Sequence, residues 1–115
     1  MLTQEVRKMY ARLVVFTLGN EKRQIAEKLT KEFDTTTRKL SGFRGNVYFF
    51  DDREGEYRAL NYWDTKDHAK DANSVMFPKL EKKLENMNVK KPVVKLFEVY
   101  DPSDSKELLF SHIKI

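Results

Sequence analysis

The sequence contains no cysteine in its 115 residues. A disulfide scaffold, a thiolate zinc site and a cysteine nucleophile are therefore excluded. Histidine is nearly as scarce: His68 and His112 stand alone, which rules out a zinc site built from several imidazoles. With 4 glycines and 3 prolines, the chain is neither collagen-like nor a low-complexity linker. Long apolar runs are missing as well. The longest, Leu13 to Phe16, has four residues, against roughly 18 for a bilayer span. Met1-Leu2-Thr3-Gln4-Glu5 has no basic flank leading into an apolar stretch, so no signal peptide is expected and the cytoplasm is the expected compartment. Nor is there a large charge imbalance: 22 basic residues face 18 acidic ones, for a net charge of +4. No Gly-rich phosphate loop, nucleophile elbow or Ser-His-Asp arrangement is visible.

What is present suffices for a folded domain. The chain is 40% hydrophobic, 12% aromatic and 35% charged, too apolar for a disordered tail. Its length suits one domain over 1–115, with a core at about 10–100 and an extension at about 101–115.

The period of the apolar residues marks the elements. Tyr10 to Leu18 is rich in β-branched and aromatic residues on both faces, as in a strand covered on both sides. Asn20 is a natural helix cap. Ile25, Leu29, Phe33, Thr37 and Leu40 then recur at helical spacing, which predicts an amphipathic helix over about 21–39, ended by Ser41-Gly42. Phe43 to Asp51 and Glu56 to Asp64 read as two strands joined by the polar hairpin loop Asp52-Arg53-Glu54-Gly55. Asp64 or Thr65 can cap a second helix from Lys66, with a break expected near Asn73 because Pro78 follows Ser74. Val93 to Tyr100 reads as a fourth strand, Asp101-Pro102-Ser103-Asp104 as a turn, and Lys106 to Ile115 as a fifth strand.

The order β-α-β-β-α-β plus a C-terminal strand predicts an α+β, ferredoxin-like split β-α-β fold, an antiparallel sheet with two helices on one face. Helices on one face leave the other bare, and that face carries large apolar residues whichever parity it has. An exposed sheet face of that size marks an association surface, so a homodimer packed sheet against sheet is expected.

Two motifs carry a family resemblance. Ser41-Gly42-Phe43-Arg44-Gly45 follows the first helix, and Asn61-Tyr62-Trp63-Asp64-Thr65-Lys66-Asp67-His68-Ala69 spans the end of the third strand and the start of the second helix. With the acidic hairpin between them, they resemble the antibiotic biosynthesis monooxygenase (ABM) family over about 11–100. The resemblance implies the dimeric α/β barrel fold, with a C-terminal strand of the kind some members lay across the partner subunit. It also implies a choice among cofactor-free monooxygenases of polycyclic phenols, haem-degrading monooxygenases and members without known activity. Haem-degrading members use an Asn on the first strand and a Trp and a His on the second helix. Those positions fall here on Arg12, near Ala72 and near Lys79 to Lys83, so that pattern is absent and neither haem nor another cofactor is expected.

Four residues are candidates for a site, with no metal among their expected ligands. Arg12 is a charge within an apolar strand and must be paired or face a wet cavity. It is either a salt bridge, across strands or at the dimer interface, or an anchor for a substrate oxyanion. Arg58 and Glu98 invite the same question. Trp63 is either a core aromatic whose N–H finds a partner or a stacking wall for a flat substrate. Asn61, two residues earlier on the same face, reaches the same place. His68, in the first turn of the second helix, is either a helix-start residue or a base for a phenolic proton.

The expected function is therefore a cofactor-independent, monooxygenase-like protein with a pocket between sheet and helices, acting on a small electron-rich aromatic compound. The alternative is a non-catalytic dimeric module that binds a ligand or a protein. Nucleic acid is not expected as a partner. The third strand lacks a Lys/Arg-Gly-Phe-Gly-Phe run, and the lysines between Lys79 and Lys91 alternate with glutamates or cluster at a helix end. No membrane partner is expected either.

Overall fold

The computed structural model describes residues 8–87, 89–100 and Pro102. Its elements are β1 (Tyr10–Thr17), α1 (Arg23–Thr37), β2 (Phe43–Asp51), β3 (Glu56–Trp63), α2 (Lys66–Leu84), a short 3-10 turn (Glu85–Met87) and β4 (Val93–Glu98). The strands form one antiparallel sheet in the order β2-β3-β1-β4, the ferredoxin-like arrangement. The expected fifth strand, the preceding turn and His112 lie outside the described residues. No helix of the described residues is long and apolar enough to cross a membrane.

Alternation along β1 assigns the faces. Arg12, Val14 and Phe16 are buried under the helices, whereas Leu13, Val15 and Thr17 are only half-buried on the bare face. The pairing register extends this parity across the sheet. Val47, Leu60 and Leu13 form one row of the bare face with Lys95, and Phe49, Arg58, Val15 and Val93 form the next. Phe49, Val93 and Phe97 are 49%, 61% and 40% exposed there, so the unpartnered face is apolar as expected. Arg58 pairs with Glu56 at 2.9 Å and Glu98 with Lys8 at 3.1 Å, so both of these strand charges are neutralised at the surface.

Under the helices the core divides in two. The larger cluster joins Val14, Phe16, Leu18, Ala26, Leu29, Tyr57, Leu80 and Leu84. The smaller joins Trp63, Ala69 and Ala72, with Tyr10, Leu40, Phe43 and Leu96 packed around them.

Two helix expectations need correction. Asn20 does not cap α1, which begins at Arg23 after Lys22 with no side-chain cap. Glu21 adopts a left-handed φ of 59°, and that turn places the helix start beyond the reach of Asn20. Nor does α2 break near Asn73; it runs unbroken through Pro78. A proline inside a helix costs about 3 kcal/mol, but Met76 and Leu80 on either side are buried against the sheet and hold the helix in line.

The hairpin tip docks on the loop between β1 and α1. Leu18 N–H donates to the Gly55 carbonyl at 2.8 Å, and Gly55 has a φ of +68°. A Cβ on Gly55 would lie 2.4 Å from the Gly19 carbonyl, whereas one on Gly19 (φ +91°) meets nothing within 4 Å. Gly19→Ala should therefore cost only the left-handed strain, about 1–2 kcal/mol. Gly55→Ala should cost clearly more, because rigid backbone must also move. Urea unfolding of the two variants checks the difference; equal losses would contradict the close approach.

Candidate functional site

One row of the sheet is polar where its neighbours are apolar. Asn46 pairs with Asn61 and Asn61 with Arg12, side by side across β2, β3 and β1 on the helix-facing side. All three are nearly inaccessible, at 2%, 2% and 3% exposed. The next row toward the hairpin carries Tyr48, Ala59 and Val14, and the next the other way carries Phe43, Trp63 and Tyr10. The polar row thus lies between the two hydrophobic clusters.

Above it, the helices supply matching polar groups. The Arg12 Nε–H donates to Asn73 Oδ1 of α2 at 2.8 Å. No Asp or Glu among the described residues pairs with its guanidinium. Burial alone accordingly depresses its pKa to about 10, with the Tyr48 hydroxyl pulling the other way. The salt-bridge readings for Arg12 are therefore corrected: it meets an amide, under the helices and away from the bare face.

On α1, Asp34 gathers three donors. Arg38 Nε–H reaches its Oδ2 at 2.7 Å, while Asn46 Nδ2–H and the Tyr48 hydroxyl reach its Oδ1 at 2.7 and 3.2 Å. Desolvation pushes the Asp34 carboxyl upward, but these bonds and the Arg38 charge outweigh it and hold the pKa below the ordinary 3.8. Tyr48 moves the other way: burial, then the Asp34 charge, raise its phenol well above the usual value and keep it neutral. The Asn46 Oδ1 atom is buried without a donor, an uncommon condition for a buried amide.

A cavity of about 30 Å³ lies between this row and the helices, lined by Arg12, Asn61, Tyr48, Thr37, Phe33 and Met76 among others. It has room for about two waters. Of the four candidates, Arg12 and Asn61 line it. Trp63 and His68 do not reach it. Trp63 is fully enclosed in the smaller cluster, edge-on to Phe43 with ring centroids 5.6 Å apart. Its Nε1–H donates to Asn61 Oδ1 at 2.7 Å. Because only the oxygen can accept that bond, Trp63 fixes the Asn61 amide with its NH2 group turned away. His68 belongs to the helix start. Thr65 caps α2 by accepting from the His68 backbone N–H at 3.1 Å, and its hydroxyl lies 2.9 Å from His68 Nδ1. The imidazole packs onto Gly42, where a Cβ would lie 2.3 Å from the ring.

Asp34, Asn46, Tyr48 and Asn73 are the site residues that reading the sequence missed. A signal was present: Thr30, Asp34 and Thr37 recur at intervals of four and three within the amphipathic helix, a polar stripe beside its apolar one.

Comparison with known proteins agrees with the architecture. No family model and no curated protein sequence matches the chain. Solved structures do. Rv0793 from Mycobacterium tuberculosis superposes with a TM-score of 0.67 at 13% identity, over 84% of this chain and 99% of that one. A Deinococcus radiodurans protein assigned by name to the antibiotic biosynthesis monooxygenases gives 0.70 at 13%, over 84% and 97%. The chain has the fold of those monooxygenases. SnoaB from Streptomyces nogalater, described as a cofactor-independent oxygenase, gives 0.63 at 13%, over 85% and 99%. The ferredoxin-like fold expected from the order of elements and the superposed structures thus agree.

The Asp34 network makes a testable statement about acid stability. A carboxyl held low in the folded state stabilises the fold above its unfolded pKa, and that contribution fades as pH falls through the folded value. Wild-type stability should decline from just above pH 3.8 downward, and Asp34→Asn should flatten that decline. Unfolding midpoints in urea between pH 6 and about pH 3 test it; parallel curves would show that Asp34 is not held ionised by its partners.

Proposed function

We propose that this protein is a cytoplasmic homodimer of the monooxygenase-like kind that binds a small electron-rich phenol as its oxyanion, in the cavity between sheet and helices. The observation that carries the reading is Arg12. A buried guanidinium with no carboxylate partner among the described residues has a large unmet preference for an anion, and it lines a cavity under the helices. The Asn61 amide adds neutral N–H donors beside it, oriented by Trp63. Among proteins of the same fold, SnoaB is described as an oxygenase that needs no cofactor, and the chemistry offered here suits that kind of reaction. Favouring the oxyanion raises the share of the phenol in its ionised form, whose conjugated ring carbon is nucleophilic. That carbon attacks dioxygen to give a hydroperoxide, which loses water to leave a carbonyl. One oxygen atom stays in the product, and the other leaves with two hydrogens from the substrate, so no external reductant is needed.

At about 30 Å³ the cavity is smaller than an aromatic ring, so a ring must displace some of its lining. Phe33 and Met76 line its helix side, and the unbranched Met76 side chain has the rotatable bonds to rearrange there. The same small volume favours a second reading, a binding module without turnover.

4-Nitrophenol tests the anion site that both readings share, because its ionised form is yellow and its neutral form is not. Bound at Arg12, it should ionise about 1–3 pH units lower than in water. Arg12→Met should abolish the shift without loss of stability, since it removes a buried charge that lacks a carboxylate. No binding, or a shift indifferent to that substitution, would overturn the site. Oxygen uptake with an anthrone, with no added metal or flavin, then distinguishes oxygenase from binding module.

The homodimer rests on the bare apolar face, where Leu13, Val15, Leu60 and Val47 lie beside exposed Phe49 and Phe97. Sedimentation at micromolar concentration should give twice the mass of the 13.7 kDa chain, and Leu60→Glu should yield monomers. A wild-type monomer would overturn the pairing.

A further inference from the structure

The cavity holds a second polar element, opposite in character to Arg12. We infer that Tyr48, held by Asp34, is a specificity-determining hydrogen-bond acceptor that selects ligands carrying a hydroxyl beside the oxyanion. This inference rests on the oxyanion reading of Arg12 and adds a second requirement to it.

The geometry assigns the direction of each hydrogen bond. Asp34 is ionised and can only accept, so the 3.2 Å contact spends the Tyr48 hydroxyl hydrogen on Oδ1. What Tyr48 can still offer is a lone pair. The neighbouring threonine hydroxyls do not donate to that lone pair: Thr37 donates to the Phe33 carbonyl, and Thr30 donates to the carbonyls of Ala26 and Glu27. Arg12 and Tyr48 both line the cavity and lie close enough to interact electrostatically. The lining therefore sets donors, the Arg12 guanidinium and the Asn61 NH2 group, against hydroxyl acceptors, of which the Tyr48 oxygen is the one that interacts electrostatically with Arg12.

A ligand that satisfies both has an oxyanion with a hydroxyl next to it on the ring, as in the monoanion of a catechol. A simple phenolate meets only the donors and leaves the Tyr48 lone pair buried and unpaired, which a polar site penalises. Asp34 is a positioning residue in this arrangement. It does not line the cavity, and it acts by keeping the Tyr48 hydrogen turned away.

The test compares 4-nitrocatechol with 4-nitrophenol, both followed by absorbance titration on the intact chain. Wild type should bind the catechol about tenfold more tightly. Tyr48→Phe should remove that advantage while leaving 4-nitrophenol affinity within about twofold, a change in ratio that general loosening of the core would not produce. Asp34→Ala, which frees the Tyr48 hydrogen to donate, should shrink the advantage in the same way and serves if Tyr48→Phe folds poorly. Equal affinity of wild type for the two compounds, or an advantage that survives in either variant, would overturn the inference while leaving the Arg12 reading standing. Binding of neither compound, or binding unaffected by Arg12→Met, would instead overturn the oxyanion reading on which it rests.

Discussion

A guanidinium buried without a carboxylate partner among the described residues sets the terms for the rest of this structure. Removing a charge from water costs several kcal/mol unless partners compensate, and Arg12 has one neutral amide, Asn73, at hydrogen-bond distance. The surroundings accommodate the charge by becoming polar along a line. Asn46 and Asn61 continue it across the sheet, and Thr30, Asp34 and Thr37 face it from α1. The hydrophobic core is split as a result, and the apolar packing that stabilises the domain lies on either side of a polar seam.

The seam has two kinds of anchor. At one end Trp63 is itself core, fixed by Phe43 and the small residues of α2, and its single N–H orients Asn61. At the other, Asp34 is partly exposed, paired with Arg38, and orients both Asn46 and Tyr48. A rigid aromatic and a hydrogen-bonded carboxylate each fix the donor or acceptor sense of a neighbour that faces inward. Preorganisation of this kind lets a small cavity discriminate, because its polar groups do not turn to suit a poor ligand.

The strands were legible from composition: Tyr10 to Thr17 is crowded with β-branched and aromatic residues on both faces, and Glu56 to Trp63 follows a polar hairpin loop that ends in glycine. Arg12 stood out for the converse reason, as a charge where the pattern calls for an apolar residue. Asn20 misled because capping depends on backbone geometry, and the left-handed Glu21 is a tertiary matter that no local rule encodes. Pro78 misled because burial of Met76 and Leu80 outweighs the local cost. Asp34 and Tyr48 were passed over for a simpler cause. A carboxylate on a charged helix and a tyrosine among strand aromatics look ordinary until the register brings them together. The partner of Trp63 was similarly hidden, although the i, i+2 spacing from Asn61 already put both on one face.

The unmatched charge also explains why stability and function pull apart at this site. A protein selected only to fold would gain by replacing Arg12 with an apolar residue of similar volume, as buried ionic groups elsewhere show. Retaining it leaves the free protein carrying a desolvation cost that an anionic ligand would remove, so ligand binding and folding stability should rise together. The small volume of the cavity fits the same balance. Phe33 and Met76 line it on the helix side, beside the polar seam. A bound ring has to displace both. On the proposed reading the energy for that displacement comes from pairing the guanidinium, so a ligand without negative charge has little means of entering. Charge would then be the condition of entry and the hydroxyl pattern the condition of fit, with Arg12 on β1 and Tyr48 on β2.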